Sequence, residues 1–248
     1  MTTPASPTQM IILPIKATAS IENPSTKEGQ IWSQILDILE NWKGFRRLYW
    51  GRHVEEPEKT QVHIGTSLSR VLRPNLTSTV RDSLHNHYTF LASQKWQSIC
   101  NLITPLCTEP EKEPNSVVGS ITVRHGMISD FTPSPKSLGK GAPVTGTAIY
   151  FATDPAGWEK VWALWTTIVP NVPGCLGCAG GWVVEPVEGR EHCYIVWVGW
   201  ENIEVHDAYH HTKDFRRRGP ILREHNSGWR EYGHVAFTHS RSRRDAHL

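Results

Sequence analysis

The sequence predicts an α+β protein in which two β-α-β-β-α-β units follow one another along the chain. The main observation is a pattern of His, aromatic, Ser/Thr and aromatic residues, at every third position, that occurs twice. The two copies are His87, Phe90, Ser93, Trp96 and His206, Tyr209, Thr212, Phe215. A Glu-Pro pair precedes the pattern and a strand-like segment follows it in both halves. A repeat of this size indicates two similar units that do the work of a homodimer within one chain.

In the first half, apolar residues at helical spacing predict a helix that ends at Lys43-Gly44, a typical C-terminal stop. A Glu-Pro turn at Glu56-Pro57 separates the next two strands. The residues 69–80 look like an inserted loop. We expect a strand at 10–17, a helix at 28–42, strands at 45–53 and 60–67, a helix at 81–102 and a strand at 117–123.

The second half repeats this order. Asp154-Pro155 is a typical helix start, because Asp is a favoured N-cap and Pro fits the first helical position. We expect a strand at 147–152, a helix from 155, strands at 176–184 and 192–200, a helix at 202–215 with a possible continuation at 220–225 as the alternative to ending there, and a strand at 232–239.

The element order β-α-β-β-α-β is typical of the ferredoxin-like fold, a four-stranded antiparallel sheet with both helices on one face. The apolar residues on the other face of the sheet must then be buried against another part of the protein. We therefore expect two tandem ferredoxin-like units that cover each other as a fused pseudo-dimeric α+β barrel. Residues 1–125 would form the first unit and 145–248 the second, joined by a linker at 126–144 that is rich in Gly, Pro, Ser and Lys.

Charge, cysteine content and apolar runs indicate which partners and which cell compartment to expect. The net charge of +2 is too small to indicate nucleic-acid binding, and the late arginines at 216–218, 241, 243 and 244 are expected to be solvated. Five cysteines, an odd and sparse set, favour a reducing compartment, with Cys175 and Cys178 structural. The apolar run 10–13 is too short for a signal or membrane segment, so we expect a cytoplasmic protein.

The second half resembles a known superfamily. Trp200-Glu201 followed by His206, Tyr209, Thr212 and Phe215, together with Gly174 and Glu185-Pro186, is similar to the dimeric α/β-barrel proteins, especially the antibiotic biosynthesis monooxygenase-like group. The first half shares the helix and the Glu-Pro turn, but has no counterpart of Trp200. The resemblance implies many activities, among them cofactor-free oxygenase, dehydratase, isomerase, cyclase and haem enzymes and stress proteins. Fused tandem forms resemble tailoring enzymes of fungal polyketide and terpenoid pathways.

Four residues are candidates for catalysis: His206, Tyr209, His210 and His234. A neutral imidazole exchanges protons near pH 7, and a tyrosine hydroxyl can donate to a developing oxyanion. His206 and His210 share a helix face and could bind zinc, but no Glu lies between them and no third ligand is evident, so we expect no metal. The alternative for His206, matched by His87, is a structural hydrogen bond from helix to sheet.

Five further residues are candidates for substrate binding: Trp182, Trp197, Trp200, Tyr232 and His87. The three tryptophans lie on strands that would surround a cavity, and a flat polycyclic or terpenoid molecule suits aromatic walls. His234 is expected to reach this pocket. His125 and His239 are expected at strand ends, facing solvent.

The leading hypothesis is a cofactor-independent tailoring enzyme of secondary metabolism that performs dehydration, cyclisation or isomerisation on a hydrophobic intermediate. One alternative is a cofactor-free monooxygenase of an aromatic polyketide, and another is a non-catalytic ligand-binding or stress-response module. A haem protein with a His ligand is a further alternative. Motifs for nucleotide cofactors and triad hydrolases are absent from the sequence. The expected partner is a hydrophobic small molecule, and the fused pair could associate into a homodimer.

Overall fold

A computed structural model describes residues 5–66, 76–107, 120–131 and 142–242. The chain is α+β, and its strand pairs are antiparallel. It divides into two compact units. Among the described residues, the N-terminal unit comprises those of Ser6–His125 and Ser240–Ser242, and the C-terminal unit comprises those of Gly126–His239 and Ala5. Within the described ranges, no helix has the length and apolar character needed to cross a bilayer.

The N-terminal unit has the strand order β1-β3-β2. Its helices pack through Trp32, Ile35, Leu36 and Leu39 of α1 and Ile99 and Ile103 of α3. The elements are β1 (Ser6–Pro14), α1 (Lys27–Glu40), β2 (Phe45–His53), β3 (Lys59–Thr66), α2 (Leu76–Leu91), α3 (Gln94–Ile103) and β4 (Thr122–Asp130), which ends in the next unit.

The C-terminal unit has the strand order β8-β5-β7-β6, with Gly126–Asp130 of β4 paired to β6. This order is compatible with a ferredoxin-like sheet. The elements are β5 (Val144–Ala152), α4 (Pro155–Ile168), β6 (Cys175–Val183), β7 (Cys193–Trp200), α5 (Ile203–His210), α6 (Lys213–Arg218) and β8 (Asn226–Ser242). A short 3₁₀ segment, Gly219–Arg223, connects α6 to β8.

The core of the C-terminal unit is aromatic. Trp158, Trp162 and Trp165 recur at helical spacing along α4 and are buried against the sheet. Trp158 stacks on Tyr150 of β5 at 4.5 Å between ring centroids. Burying a large apolar side chain contributes about 1.5–3 kcal/mol, so this stripe is a main reason why α4 docks where it does.

The repeated Ser/Thr position ends one helix and starts the next in both units. Ser93 accepts a hydrogen bond from the Trp96 backbone N–H and donates to the Phe90 carbonyl. Thr212 does the same with the Phe215 N–H and the Tyr209 carbonyl. Short hydroxyl side chains compete with the helical backbone in this way and favour N-caps. The single helices expected at 81–102 and 202–215 are therefore each two helices.

Other expectations need correction. The expected linker at 126–144 contains the second half of β4, which runs on to Asp130, and the first residue of β5; residues 132–141 lie outside the described ranges. His125 does not face solvent: it lies within β4 and is buried. Part of the inserted loop expected at 69–80 is helical, because α2 begins at Leu76, while 69–75 also lie outside the described ranges.

Asp154 precedes α4 as expected, but its side chain makes no capping hydrogen bond to the helix. It contacts His225 instead, with 3.2 Å between Oδ2 and Nδ1. The arginines expected to be solvated are also partly engaged: Arg241 donates to Ser33 and Glu40 of α1.

A buried polar chain links β2 and β3 of the N-terminal unit. His53 Nε2 lies 2.8 Å from Gln61 Oε1, and Gln61 Nε2 lies 2.6 Å from His63 Nε2. Burial lowers the pKa of His63 to about 3, and also lowers the pKa of His53. Because the folded protein keeps His63 neutral while the unfolded chain binds a proton near pH 6.5, acid favours unfolding.

We expect the free energy of unfolding to fall as the pH drops from about 6.5 toward about 3, with His63 contributing up to about 1.4 kcal/mol per pH unit. Urea unfolding at pH 7 and pH 4.5 measures this. His63→Gln should lose that share of the pH dependence, whereas His85→Gln, at an exposed position, should keep it. Equal pH dependence in His63→Gln and the wild type would contradict the assignment.

Candidate active site

The C-terminal unit contains a cavity of about 840 Å³. Strands β5, β7 and β8 supply one wall, and α4, α5, α6 and the segment Gly219–Arg223 supply the other. The cavity thus lies between the sheet and the helices of this unit. Its walls are largely aromatic, from Tyr150, Trp162, Trp165, Trp200, Tyr209, Phe215, Trp229 and Tyr232.

A pair of buried histidines lies at the wall. His206 Nδ1 is 2.7 Å from His234 Nε2, and the two side chains belong to residues that are 7% and 3% exposed. Asn202 caps α5 by accepting from the Val205 N–H and so fixes where the helix begins, one turn before His206. One of the two nitrogens must carry the proton and the other a lone pair, so this contact requires at least one neutral ring.

Gly146 makes room for the pair. It lies opposite both His234 of β8 and Val198 of β7 in the sheet. A Cβ at Gly146 would lie 3.2 Å from His206 Cε1, a distance that requires the ring to move. Trp200 holds the ring from another side, stacked at 4.5 Å and 19° between planes. Helix, sheet and aromatic ring together fix the orientation of His206.

Tyr209 lies one turn after His206 and donates its hydroxyl to Asp214 over 3.4 Å, a long contact. Asp214 in turn pairs with Arg218 at 2.8 Å. Burial and the charge of Asp214 raise the pKa of Tyr209 to about 12, so its hydroxyl stays protonated at neutral pH. Its proton is directed to Asp214 rather than to a bound molecule in this arrangement.

Tyr150 is a cavity residue that the sequence reasoning missed. Its hydroxyl makes no hydrogen bond to any part of the chain that the structure describes, and burial raises its pKa to about 12. It is therefore an available donor. Strand alternation places Gly146, Ala148 and Tyr150 on one face of β5, and four residues of strand put Tyr150 about 13 Å from Gly146. The alternation of side chains along this strand could have identified Tyr150 as a cavity residue from the sequence.

Of the remaining residues predicted for the site, some line the cavity and others do not. His210 and Tyr232 line the cavity, Tyr232 with an exposed ring beside exposed Trp229, and burial lowers the pKa of His210. His234 does not line it but lies behind His206. Trp200 lines it as expected.

Three expected substrate contacts are not part of the cavity. Trp197 points to the opposite face of β7 from its neighbours Val196 and Val198, because side chains alternate along a strand. Trp182 is occupied elsewhere: its indole N–H donates to Glu159 of α4 at 2.7 Å. His87 belongs to the other unit and is buried in its core.

The space beside His87, at the corresponding place in the N-terminal unit, is much smaller. The space beside His87 measures about 10 Å³ and is lined by Gln9, Leu39, Trp42, Phe45, Ile64 and Phe90. Gln9 lies opposite Ile64 on β3, as Gly146 lies opposite Val198 on β7. A side chain therefore occupies the place that Gly146 leaves open, and Trp42 packs on Phe90 at 4.7 Å.

The described ranges contain no cluster of three or more His, Cys, Asp or Glu residues suited to hold a metal ion. Cys175 and Cys178 are free thiols on β6. Burial raises the pKa of Cys178 to about 12, so it stays a neutral thiol.

The fold is similar to that of three solved structures. An anthrone oxidase-like protein matches with a TM-score of 0.58 at 12% identity, over 98% of this chain and 96% of that chain. A proposed monooxygenase from Fusobacterium nucleatum matches with 0.55 at 9% identity, over 96% and 95%. A proposed monooxygenase from Lactobacillus acidophilus matches with 0.52 at 10% identity, over 96% of each chain.

This chain shares its fold with the anthrone oxidase-like protein and the two proposed monooxygenases. The match in fold agrees with the sequence resemblance around Trp200 and His206. No protein-family model matches the sequence, and no curated protein matches it. A shared fold at this identity does not by itself transfer an activity.

We expect Gly146→Gln to give the C-terminal unit the filled arrangement seen beside Gln9. The added side chain should displace His206 and weaken binding of a flat aromatic probe, for which we choose anthraquinone, at least tenfold, measured by quenching of tryptophan fluorescence. Overpacking should cost about 1–3 kcal/mol of stability, measured by urea unfolding.

The control is Gly65→Gln on β3, where an added Cβ makes only ordinary contact, 3.5 Å from Arg47. It should leave anthraquinone binding within twofold of the wild type. Unchanged binding by Gly146→Gln would mean that the cavity above Gly146 does not take the ligand.

Proposed function

We propose that the C-terminal unit is a cofactor-independent oxygenase that deprotonates a hydrophobic, enolisable substrate and lets the carbanion reduce dioxygen. The observation that carries this proposal is the buried His206, which lies in the wall of an aromatic cavity and is hydrogen-bonded to His234. An imidazole held in one orientation is suited to remove a proton near neutral pH.

In the proposed first step, His206 donates its Nδ1–H to His234 Nε2 and thus keeps a lone pair on Nε2. This nitrogen removes a proton from an activated CH₂ group of the substrate. His234 accepts the hydrogen bond and stabilises the imidazolium that forms, because a hydrogen bond from a charged donor is stronger than one from a neutral donor.

The carbanion then transfers an electron to O₂, and the two radicals combine to a peroxide anion, which takes up the proton held by His206. Loss of the remaining C–H proton breaks the O–O bond and releases water. The balance is R₂CH₂ + O₂ → R₂C=O + H₂O. The substrate supplies all the electrons, so the sequence of steps requires no further reductant.

The aromatic side chains that line the cavity favour a flat substrate of several fused rings. Trp162, Trp165 and Trp200 offer broad aromatic surfaces, and stacked or edge-to-face contacts between rings contribute about 0.5–1.5 kcal/mol each beyond area burial. Tyr150, about 13 Å along β5 from Gly146, would donate a hydrogen bond to an oxygen at the far end of such a molecule. The names of the three structural neighbours, oxidase-like or proposed monooxygenase, support oxidation over other outcomes.

A second candidate function begins with the same proton removal but does not consume O₂. The same histidine pair could return the proton elsewhere on the substrate, which would give isomerisation, cyclisation or dehydration. The observation that favours it is that His206 and His234 are already arranged for proton transfer. Substrate consumption in the absence of oxygen would distinguish it from the oxygenase.

Anthrone is the test substrate, and oxygen uptake with anthraquinone formation is the measurement. We expect His206→Gln to lower kcat at least about 100-fold, since a general base contributes 10²- to 10⁴-fold. His234→Gln should lower kcat about tenfold and shift the pH profile, because it removes an orienting group rather than the base.

His211→Gln is the control, because His211 lies at the end of the same helix but is exposed and does not line the cavity. It should stay within twofold of the wild type. Full activity in His206→Gln would overturn the proposed base. Anaerobic turnover would favour the second candidate, and binding with no turnover would favour a non-catalytic ligand-binding protein.

A further inference from the structure

Apart from tyrosines, the ionisable side chains that line the cavity are all basic. Arg216 and Arg223 lie at its exposed rim, His206 and His210 lie deeper, and no Asp or Glu is among the lining residues. Arginine stays protonated at any pH at which the protein is folded. The cavity therefore presents two fixed positive charges beside an aromatic interior.

In the part of the chain that the structure describes, the guanidinium groups of Arg216 and Arg223 have no polar partner. Among the residues described, neither Arg216 nor Arg223 forms an ion pair or a side-chain hydrogen bond. The arginines around them do: Arg218 and Arg217 pair with Asp214 at 2.8 and 3.8 Å, and Arg230 pairs with Glu188 at 3.7 Å. Among the arginines from 216 to 230, the two without a partner in the described residues are thus the two that line the cavity.

We propose that Arg216 and Arg223 bind a carboxylate of the substrate, so that the natural substrate is an aromatic carboxylic acid. This inference rests on the proposed function for the reacting end of the molecule. A guanidinium presents a planar fork of N–H donors that matches a carboxylate. Because both arginines are exposed while His206 and Tyr209 are buried, the carboxylate remains at the rim and the apolar rings enter the cavity.

The consequence is a fixed direction of binding. A substrate held by its acid group at the rim presents a carbon remote from that group to His206. The arginines would then determine substrate choice and orientation, while the histidine pair would act on the C–H bond.

The test compares binding of anthraquinone-2-carboxylate and its methyl ester to the purified full chain, by quenching of tryptophan fluorescence. We expect the acid to bind at least about tenfold more tightly than the ester, as hydrogen bonds between charged groups allow. Raising the NaCl concentration from low to high should weaken binding of the acid and leave the ester unchanged, because salt screens exposed charges.

The double variant Arg216→Gln/Arg223→Gln should bind acid and ester equally, with the affinity for the ester unchanged. Arg217→Gln, a neighbour that does not line the cavity, should keep the wild-type preference. Equal binding of acid and ester by the wild type, or a preference that survives in the double variant, would overturn the proposal. These readouts measure binding alone. A preference for the acid without oxygen uptake would therefore support carboxylate binding by Arg216 and Arg223 and would refute the proposed oxygenase activity.

Discussion

The contact between His206 and His234 is the constraint on which the candidate site depends. It joins helix α5 to strand β8 at 2.7 Å across the bare backbone of Gly146, and Trp200 stacks on the outer ring. A buried polar pair of this kind is stable only while both partners are present, because losing one leaves the other unsatisfied at a cost of about 1–3 kcal/mol. The pair therefore fixes both the position of the helix and the chemistry of the imidazole.

The two units differ at the place where one of them forms a cavity. Both keep the His-aromatic-Ser/Thr-aromatic pattern, and in both the hydroxyl residue caps a helix. They differ on the first strand, where Gln9 occupies in one unit the place that Gly146 leaves open in the other. The capped helices are thus common to both units, while the space beside the first strand of each unit differs.

The fold class and most elements could be predicted because hydrophobic period, Gly and Pro positions and the repeat act locally. His206, His210, Tyr209, Trp200 and Tyr232 were found as cavity residues for the same reason: the repeat and the strand end placed them. The face of a strand was harder to predict, and the expectation that Trp197 lies on a cavity-facing side of its strand was wrong, whereas Tyr150 lines the cavity. Arg216 was expected only to be solvated, as part of a run of arginines, and nothing was predicted for Arg223. The structure distinguishes arginines that have an ion-pair partner, such as Arg218, from those that line the cavity.

The most direct test of this account is ¹⁵N NMR of histidine-labelled protein at neutral pH. We predict a scalar coupling across the hydrogen bond between His206 Nδ1 and His234 Nε2, with each ring fixed in one tautomer. His234→Gln should abolish the coupling and release the tautomer of His206. Two rings that exchange freely between tautomers, with no coupling between them in the wild type, would contradict the central claim.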